Sequence, residues 1–528
     1  MVLGSWPLAC LPYLTRIQAA KRRQNAAQGV SPGKEGTQQA PKGAKEAVSH
    51  NSRTCAPGHV QLIKQTATTS PACATDPQLD LAWVRSQFPS LSRDINGHPS
   101  TFLDGPGGTQ VPQGVIDAIS GYLQENNANT CGAYATSRHT DHMIAGARLA
   151  MADFLGCDSD EVVFGSNMTT LTFAMSRAIG RELGPEDEIL LTHLDHDANV
   201  SPWRALEERG VKIQFADVRE EDCTLNMEDF ASKINSRTKI VAVGYASNAV
   251  GTINDVKTIV RLAHEAGALA YIDAVHYAPH GPIDVRDLDC DFLACSTYKF
   301  FGPHMGVLYG KREHLARLQP YKVRANTNAV PQRWEWGTLN HECIAGITAC
   351  VNYLAELGRQ VAEAITKHVG PDALVRSGEL HSPIAGHRAA GRLGAPISAR
   401  GEILVAAFRR GAIQLAYHAI RAHERTLMER TLKGLARIRG LRLYGINDPT
   451  RLDSRCPTFA VRIEGHTPLD LATRLGERGI FSWDGNYYAI NLSERLGVEK
   501  DGGFLRIGFV HYNTAEEVDR VLEELAQM

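Results

Sequence analysis

Five short polar clusters in this chain each follow an apolar run of strand length. They are Gly165-Ser166-Asn167-Met168-Thr169, His193 to Asn199, Ser247-Asn248, Asp273-Ala274-Val275-His276 and Ser296-Thr297-Tyr298-Lys299. Two of their members carry the sharpest chemical signal. A carboxylate such as Asp273 can hold a pyridinium nitrogen protonated and so make its ring an electron sink, while an amine such as Lys299 can form an imine with an aldehyde. His196 could stack on such a ring, Asn248 could bond its hydroxyl, and Asn167, Met168 and Thr169 at a helix start could cradle a phosphate. Taken singly, a lysine after a strand is commonly a solvated surface residue, and an aspartate there commonly caps the next helix. Taken jointly, five strand ends offering five complementary groups point to pyridoxal phosphate.

The elements that must position these groups are legible in the apolar pattern. Strand-length runs occur at Glu161 to Phe164, Glu188 to Thr192, Lys239 to Tyr245, Ala268 to Ile272, Phe292 to Ser296 and Gly306 to Tyr309. Helical stretches lie between several of them, such as Val256 to Ala266, so the pattern predicts crossover connections and a largely parallel sheet of the α/β class. Open sheets of this kind bind ligands at the C-terminal ends of their strands, where the polar clusters fall. Beyond residue 341 the rhythm changes. Helix is expected over Ile344 to Ile365 and Leu404 to Ile438, with strands at Thr458 to Ile463, Ile480 to Trp483 and Phe504 to Val510, and helices at Leu469 to Glu477 and from Ala515. This predicts a leader over 1–75, a large cofactor-binding domain over 76–340, with 76–100 packing on the smaller domain, and a smaller α+β domain over 341–528. The latter carries a Gly/Pro/Arg-rich loop insertion at 366–402.

Composition excludes several classes. The 528 residues are 43% apolar and 22% charged with a net charge of -2, so no basic footprint for nucleic acid is present. No apolar run reaches the roughly 18 residues of a membrane span. The neutral total hides a split: residues 1–75 hold nine Lys or Arg against Glu35 and Glu46, and the remaining chain is acidic. Within this leader the apolar Val2 to Leu14 precedes Arg16, Lys21, Arg22 and Arg23, whereas a secretory signal puts its charge first. A cytoplasmic location is expected, with organelle import through the leader as the alternative. Eleven scattered cysteines with no CxxC pair argue against a disulfide framework and against a metal site.

In fixed order, the motifs Phe102-Leu103-Asp104-Gly105-Pro106-Gly107-Gly108, Asn167-Met168-Thr169, Asp195-His196-Asp197-Ala198-Asn199, Ser247-Asn248, Asp273-Ala274-Val275-His276, Ser296-Thr297-Tyr298-Lys299 and Trp336-Gly337-Thr338 resemble the class V aminotransferase group. The likeness is to its cysteine desulfurase-like branch and continues through Phe504-Leu505-Arg506-Ile507-Gly508. It implies the fold-type I architecture of pyridoxal-phosphate enzymes, a mainly parallel seven-stranded sheet between helices plus a smaller C-terminal α+β domain. It also implies Lys299 as the Schiff-base lysine, Asp273 as the ring-nitrogen partner and His196 as the stacking histidine. Asn248 and His276 would lie near the ring hydroxyl, the latter where desulfurases usually carry glutamine. Ser296 and Tyr298 would bind phosphate, joined by Thr338 from the partner of a homodimer. Arg506 would clamp the substrate carboxylate, and Gly107, Asn248 and Tyr488 would border the substrate.

One departure bears on the reaction. Desulfurases of this branch carry a nucleophilic cysteine in a pattern close to Gly-His-His-Cys-Ala, and the matching stretch here reads Trp483-Asp484-Gly485-Asn486-Tyr487-Tyr488-Ala489. A tyrosine hydroxyl cannot accept sulfur as a persulfide, so Tyr488 argues against desulfuration, with Cys131 a remote substitute. The expected activity is therefore chemistry at the α carbon of a small amino acid, with transamination, epimerisation and elimination all open. Release of sulfur or selenium from cysteine or selenocysteine is the alternative. A non-catalytic cofactor-binding scaffold is the third reading, against which the joint presence of Lys299, Asp273, His196 and Arg506 weighs.

Overall fold

In the computed structural model, residues 79–369 and 397–528 are described, with side chains over 79–365 and 409–528. The expected leader over 1–75 lies outside the described residues.

Helices α1 (Gln113–Glu125) and α2 (Ala135–Leu155) precede the main sheet. Its strands are β1 (Val162–Gly165), β2 (Glu188–Thr192), β3 (Lys212–Ala216), β4 (Thr238–Gly244), β5 (Leu269–Asp273), β6 (Phe292–Ser296) and β7 (Gly306–Gly310). They lie in the order β1-β7-β6-β5-β4-β2-β3, with β7 antiparallel to both neighbours and the other pairings parallel. Six of the seven fall within one residue of the expected runs. Central parallel strands are covered on both faces, so they read as unbroken apolar runs, and β6 is buried along its whole length. The seventh, β3, was not expected. It is an edge strand whose Lys212 is exposed, and its alternating Lys-Ile-Gln-Phe-Ala lacks a continuous apolar signature.

Crossover helices carry their own start signals. Helix α3 (Met168–Ile179) begins after Asn167, whose side chain accepts from the Thr170 N–H, and α4 (Val256–Glu265) begins after Asp255, which accepts from Thr258. In α4, Val256, Ile259, Val260 and Ala263 are buried at i, i+3, i+4 and i+7, which docks that stripe on the sheet.

The long helices α5 (His341–Val369) and α6 (Ile397–Leu435) correct the expected insertion. Helix runs through 369 and resumes at Ile397, so both edges of the 366–402 segment are helical, and 370–396 lie outside the described residues. The two helices approach closely at Gly358, where an added Cβ would meet the Ala412 carbonyl at 1.8 Å. Only glycine fits that crossing.

A second sheet is formed by β8 (Leu441–Tyr444), β9 (Thr458–Ile463), β10 (Trp483–Gly485) and β11 (Phe504–Gly508), antiparallel in the order β8-β9-β11-β10. Helices α7 (Pro468–Glu477) and α8 (Ala515–Ala526) follow the expected positions. Ile480–Phe481 pairs instead with Thr101–Phe102, which ties the N-terminal segment to this region. Arg85 does the same through Glu517 and the Tyr512 carbonyl. No helix among the described residues is long and apolar enough to cross a membrane.

Candidate functional site

The C-terminal ends of β1, β2, β4, β5 and β6 converge on a cleft of about 640 Å³, including its open mouth. Asn167, Met168, Thr169, His196, Asn248, Asp273, His276, Ser296, Tyr298 and Lys299 all line it. Every candidate drawn from the five polar clusters is thus brought together. Gly107, Arg506, Tyr488 and Thr338 lie outside the lining, each for a different reason.

Lys299 closes a single turn after β6, and its ammonium donates to the carbonyls of Pro106 and Gly107, the latter at 3.0 Å. Gly107 therefore enters as backbone, and a Cβ there would press on the half-exposed Trp483 indole, 2.8 Å from its nitrogen. Burial and the neighbouring Arg506 push the Lys299 amine down to about 7, against the pull of Asp273 and Asp104. Near neutral pH the amine is divided between its charged and nucleophilic forms.

Asp273 ends β5 and is buried, with one oxygen accepting from the Val275 N–H at 2.9 Å. Burial lifts its carboxyl to about 6. His196 accepts from the Ala198 N–H at Nδ1, 2.9 Å away, which leaves the proton on Nε2. Burial, with Lys299 and Arg506 adding, lowers it to about 4, so the ring facing the cleft is a neutral imidazole. Asn248 donates to the Tyr487 carbonyl at 2.9 Å, and its own carboxamide oxygen is buried with no partner. Ser296 Oγ accepts from the Met168 N–H at 3.1 Å and retains its own proton to donate. Asn167 and Thr169 are exposed to the cleft at the start of α3.

Arg506, on β11, is buried behind the cleft wall. It donates to the Asn248 carbonyl at 2.8 Å and stacks at 4.0 Å over the ring of Tyr487. Its Nε has no partner, and burial lowers the guanidinium to about 10. Tyr487 and Tyr488 both take positive φ, 56° and 60°, an uncommon conformation for aromatic residues. That turn leaves Tyr488 68% exposed at the mouth, its ring 5.4 Å from that of His196. Thr338 is exposed and does not line the cleft. His276 lines the cleft, but its Nε2 is engaged 3.0 Å away by Thr458 Oγ1 on β9.

Two acids escaped the sequence reading of roles although both lie in quoted motifs. Asp195 is buried in the cleft lining, accepting from the Gly244 N–H and from Thr192 Oγ1, and burial lifts it to about 7. Asp104 is lifted to about 6 by burial, with Arg506 and Lys299 opposing, and one of its oxygens lacks a partner. A short polar run after an apolar one was the available signal in each case.

Residues 101–374 and 402–521 match the family model for aminotransferase class-V. A probable cysteine desulfurase of Mycolicibacterium paratuberculosis is 29% identical over 85% of this chain, which spans 58% of that relative's length. An aminotransferase-like protein of Gibberella zeae is 28% identical over 84% of this chain and 96% of its own. The fold matches a solved cysteine desulfurase from Thermococcus onnurineus NA1 with a TM-score of 0.68, at 24% identity, over 85% of this chain and 98% of the other. The architecture is accordingly fold-type I. With the polar strand ends gathered on one cleft and three quarters of its length matched, the chain belongs to the aminotransferase class-V family, whose members use pyridoxal phosphate.

Proposed function

We propose that this chain holds pyridoxal phosphate through Lys299 and acts at the α carbon of a small amino acid. The observation that carries the reading is a half-buried lysine, its charge disfavoured by burial, facing a cleft that it shares with a buried carboxylate and a neutral histidine. The donor set fits the cofactor. Asn248 has an orphaned oxygen at the cleft wall, Ser296 a spare hydroxyl proton, and the start of α3 exposed Asn167 and Thr169 toward a phosphate. When bound, the cofactor supplies an aldehyde that condenses with amines and a ring that accepts the electron pair left at Cα.

The remaining work falls to the chain. Asp273 would hold the charge of the cofactor's ring nitrogen, and His196 would pack against the ring and exclude water from it. Arg506 receives the carboxylate through its unpartnered Nε, held in place by Tyr487 and the Asn248 carbonyl. The Lys299 amine would move the proton at Cα. Thr338, exposed and outside the lining of its own cleft, fits a contact to a second copy of the chain.

The reading is tested by titrating the cofactor-loaded protein with single amino acids while following its visible absorbance and the products. No spectral response to any amino acid would remove it. A second reading, release of sulfur or selenium, is favoured by the desulfurase among the relatives. We read Tyr488 as standing where that chemistry needs a cysteine. Cys131 is exposed, with its N–H bonded to Asp141, and would have to substitute. Alanine formed from cysteine, and lost in Cys131→Ala, would favour the second reading over the first.

Two further results are expected. Only an uncharged amine attacks an aldehyde, so cofactor loading into ligand-free protein should accelerate through pH 7 and level off above about 8. A stopped-flow rate that keeps rising toward 10.5, the value of an ordinary lysine, would contradict the depressed amine. Arg506→Lys keeps a charge but loses the planar fork, so KM for amino acids should rise about 10- to 100-fold. KM for amines without a carboxylate should stay unchanged.

A further inference from the structure

Behind the wall that His276 gives to the cleft lies a second cluster, formed by His276, His280 and Cys456, each at most 4% exposed. One ligand atom from each lies within 4.8 Å of the others. The outer nitrogens of both histidines are already engaged. His280 Nδ1 faces both oxygens of buried Glu424 at 3.0 Å, and His276 Nε2 faces Thr458 Oγ1 at 3.0 Å. That leaves Nε2 of His280 and Nδ1 of His276 for the ligand role beside the cysteine sulfur.

We propose that His276, His280 and Cys456 form a structural zinc site, with Glu424 and Thr458 orienting the two imidazoles. Metal-bound histidines characteristically give their second ring nitrogen to a carboxylate or another polar partner, and the buried His280–Glu424 pair has that form. Two imidazoles and a thiolate suit a borderline-soft dication and supply three positions of tetrahedral zinc, with a water as the fourth. Charge closes as well. Zn²⁺, the Cys456 thiolate and the Glu424 carboxylate sum to zero, and the adjacent buried Arg455 guanidinium is carried separately by the carbonyls of Ile446 and Thr458. On binding, the Cys456 S–H bond breaks, its proton leaves to solvent, and the sulfur electron pair forms the bond to zinc; nothing is oxidised or reduced.

The site would clip the turn after β5 to the segment before β9, where the Cys456 N–H already bonds the Gly251 carbonyl at 2.7 Å. Its ligands come from stretches about 180 residues apart, so no spacing motif announces it. The inference goes beyond the proposed reaction and does not depend on it.

Holoenzyme purified from cells grown with zinc, and separately with cobalt in its place, tests the site. Elemental analysis should find one metal per chain retained through dialysis. The cobalt form should display a thiolate-to-cobalt charge-transfer band and the strong ligand-field bands of tetrahedral cobalt. Cys456→Ser and His280→Gln should each abolish metal retention and the thiolate band. Glu424→Gln should weaken retention about 10- to 100-fold while cofactor absorbance is kept. Wild-type protein without metal from either medium, a cobalt spectrum with no thiolate band, or undiminished uptake in both ligand variants would overturn the assignment. The first two outcomes need no variant, so misfolding of a mutant cannot mask them.

Discussion

Lys299→Ala is expected to lower turnover of any amino-acid substrate by at least about 10³-fold and to remove the visible absorbance of covalently held cofactor. The loss combines the nucleophile with the group that moves the Cα proton, and general acid–base catalysis alone is typically worth 10²- to 10⁴-fold. Added alkylamines should restore part of the proton transfer but not the covalent link. A stability measurement separates this from misfolding. Because the Lys299 amine sits at about 7 rather than 10.5, the unfolded chain binds more protons than the folded one between those values. The lysine therefore costs folding free energy that is fully present below pH 7 and is relieved as pH rises. Ligand-free Lys299→Ala should match or exceed wild-type stability at pH 6 to 7, and the difference should shrink toward pH 9. Asp104 and Asp273, lifted to about 6, are each held down in part by the Lys299 charge, so both carboxyls should rise in the variant and offset part of that gain. A variant that is destabilised at neutral pH would mean that Lys299 is held by its carbonyl contacts rather than strained by burial.

The strand ends that gather this chemistry were legible because buried parallel strands must be apolar on both faces. An abrupt change to polar residues then marks where the sheet opens to a ligand. Lys299, Asp273 and His196 could be found in that way. The edge strand β3 could not, since one of its faces meets solvent and Lys212 interrupts the run. Arg506 offered no local signal either, because an arginine inside the apolar Phe504–Gly508 reaches the cleft wall only through the approach of β11 to Asn248, 258 positions away. His276 teaches the opposite lesson. Its position after β5 correctly put it at the cleft, but the partner that turns its Nε2 aside, Thr458, belongs to the other sheet. Local sequence specifies which element a side chain stands on. What that side chain touches is set by contacts between distant segments.

Asp273→Asn tests the site at its most buried charge. A protonated ring nitrogen in the cleft would be a cation with little water around it, and Asp273 is the carboxylate that ends the strand beneath it. Removing one partner of a buried ion pair costs about 3–5 kcal/mol, because the other charge stays desolvated and unpaired. Asparagine preserves the shape and the bond from the Val275 N–H but cannot supply the charge. If that cost falls on the step in which the ring takes up electrons, kcat should drop by about 10²- to 10⁴-fold. Covalent cofactor should be retained through Lys299, which distinguishes the outcome from a loading defect. The neighbouring Asp195 supplies a second readout. Part of what holds it up at about 7 is repulsion from Asp273, after burial, so the substitution should let Asp195 ionise at lower pH. It cannot take over the role, since both its oxygens are bound to Gly244 N–H and Thr192 Oγ1. Near wild-type turnover in Asp273→Asn would mean that the ring nitrogen carries no proton during the reaction, and the proposed chemistry at Cα would lose its electron sink.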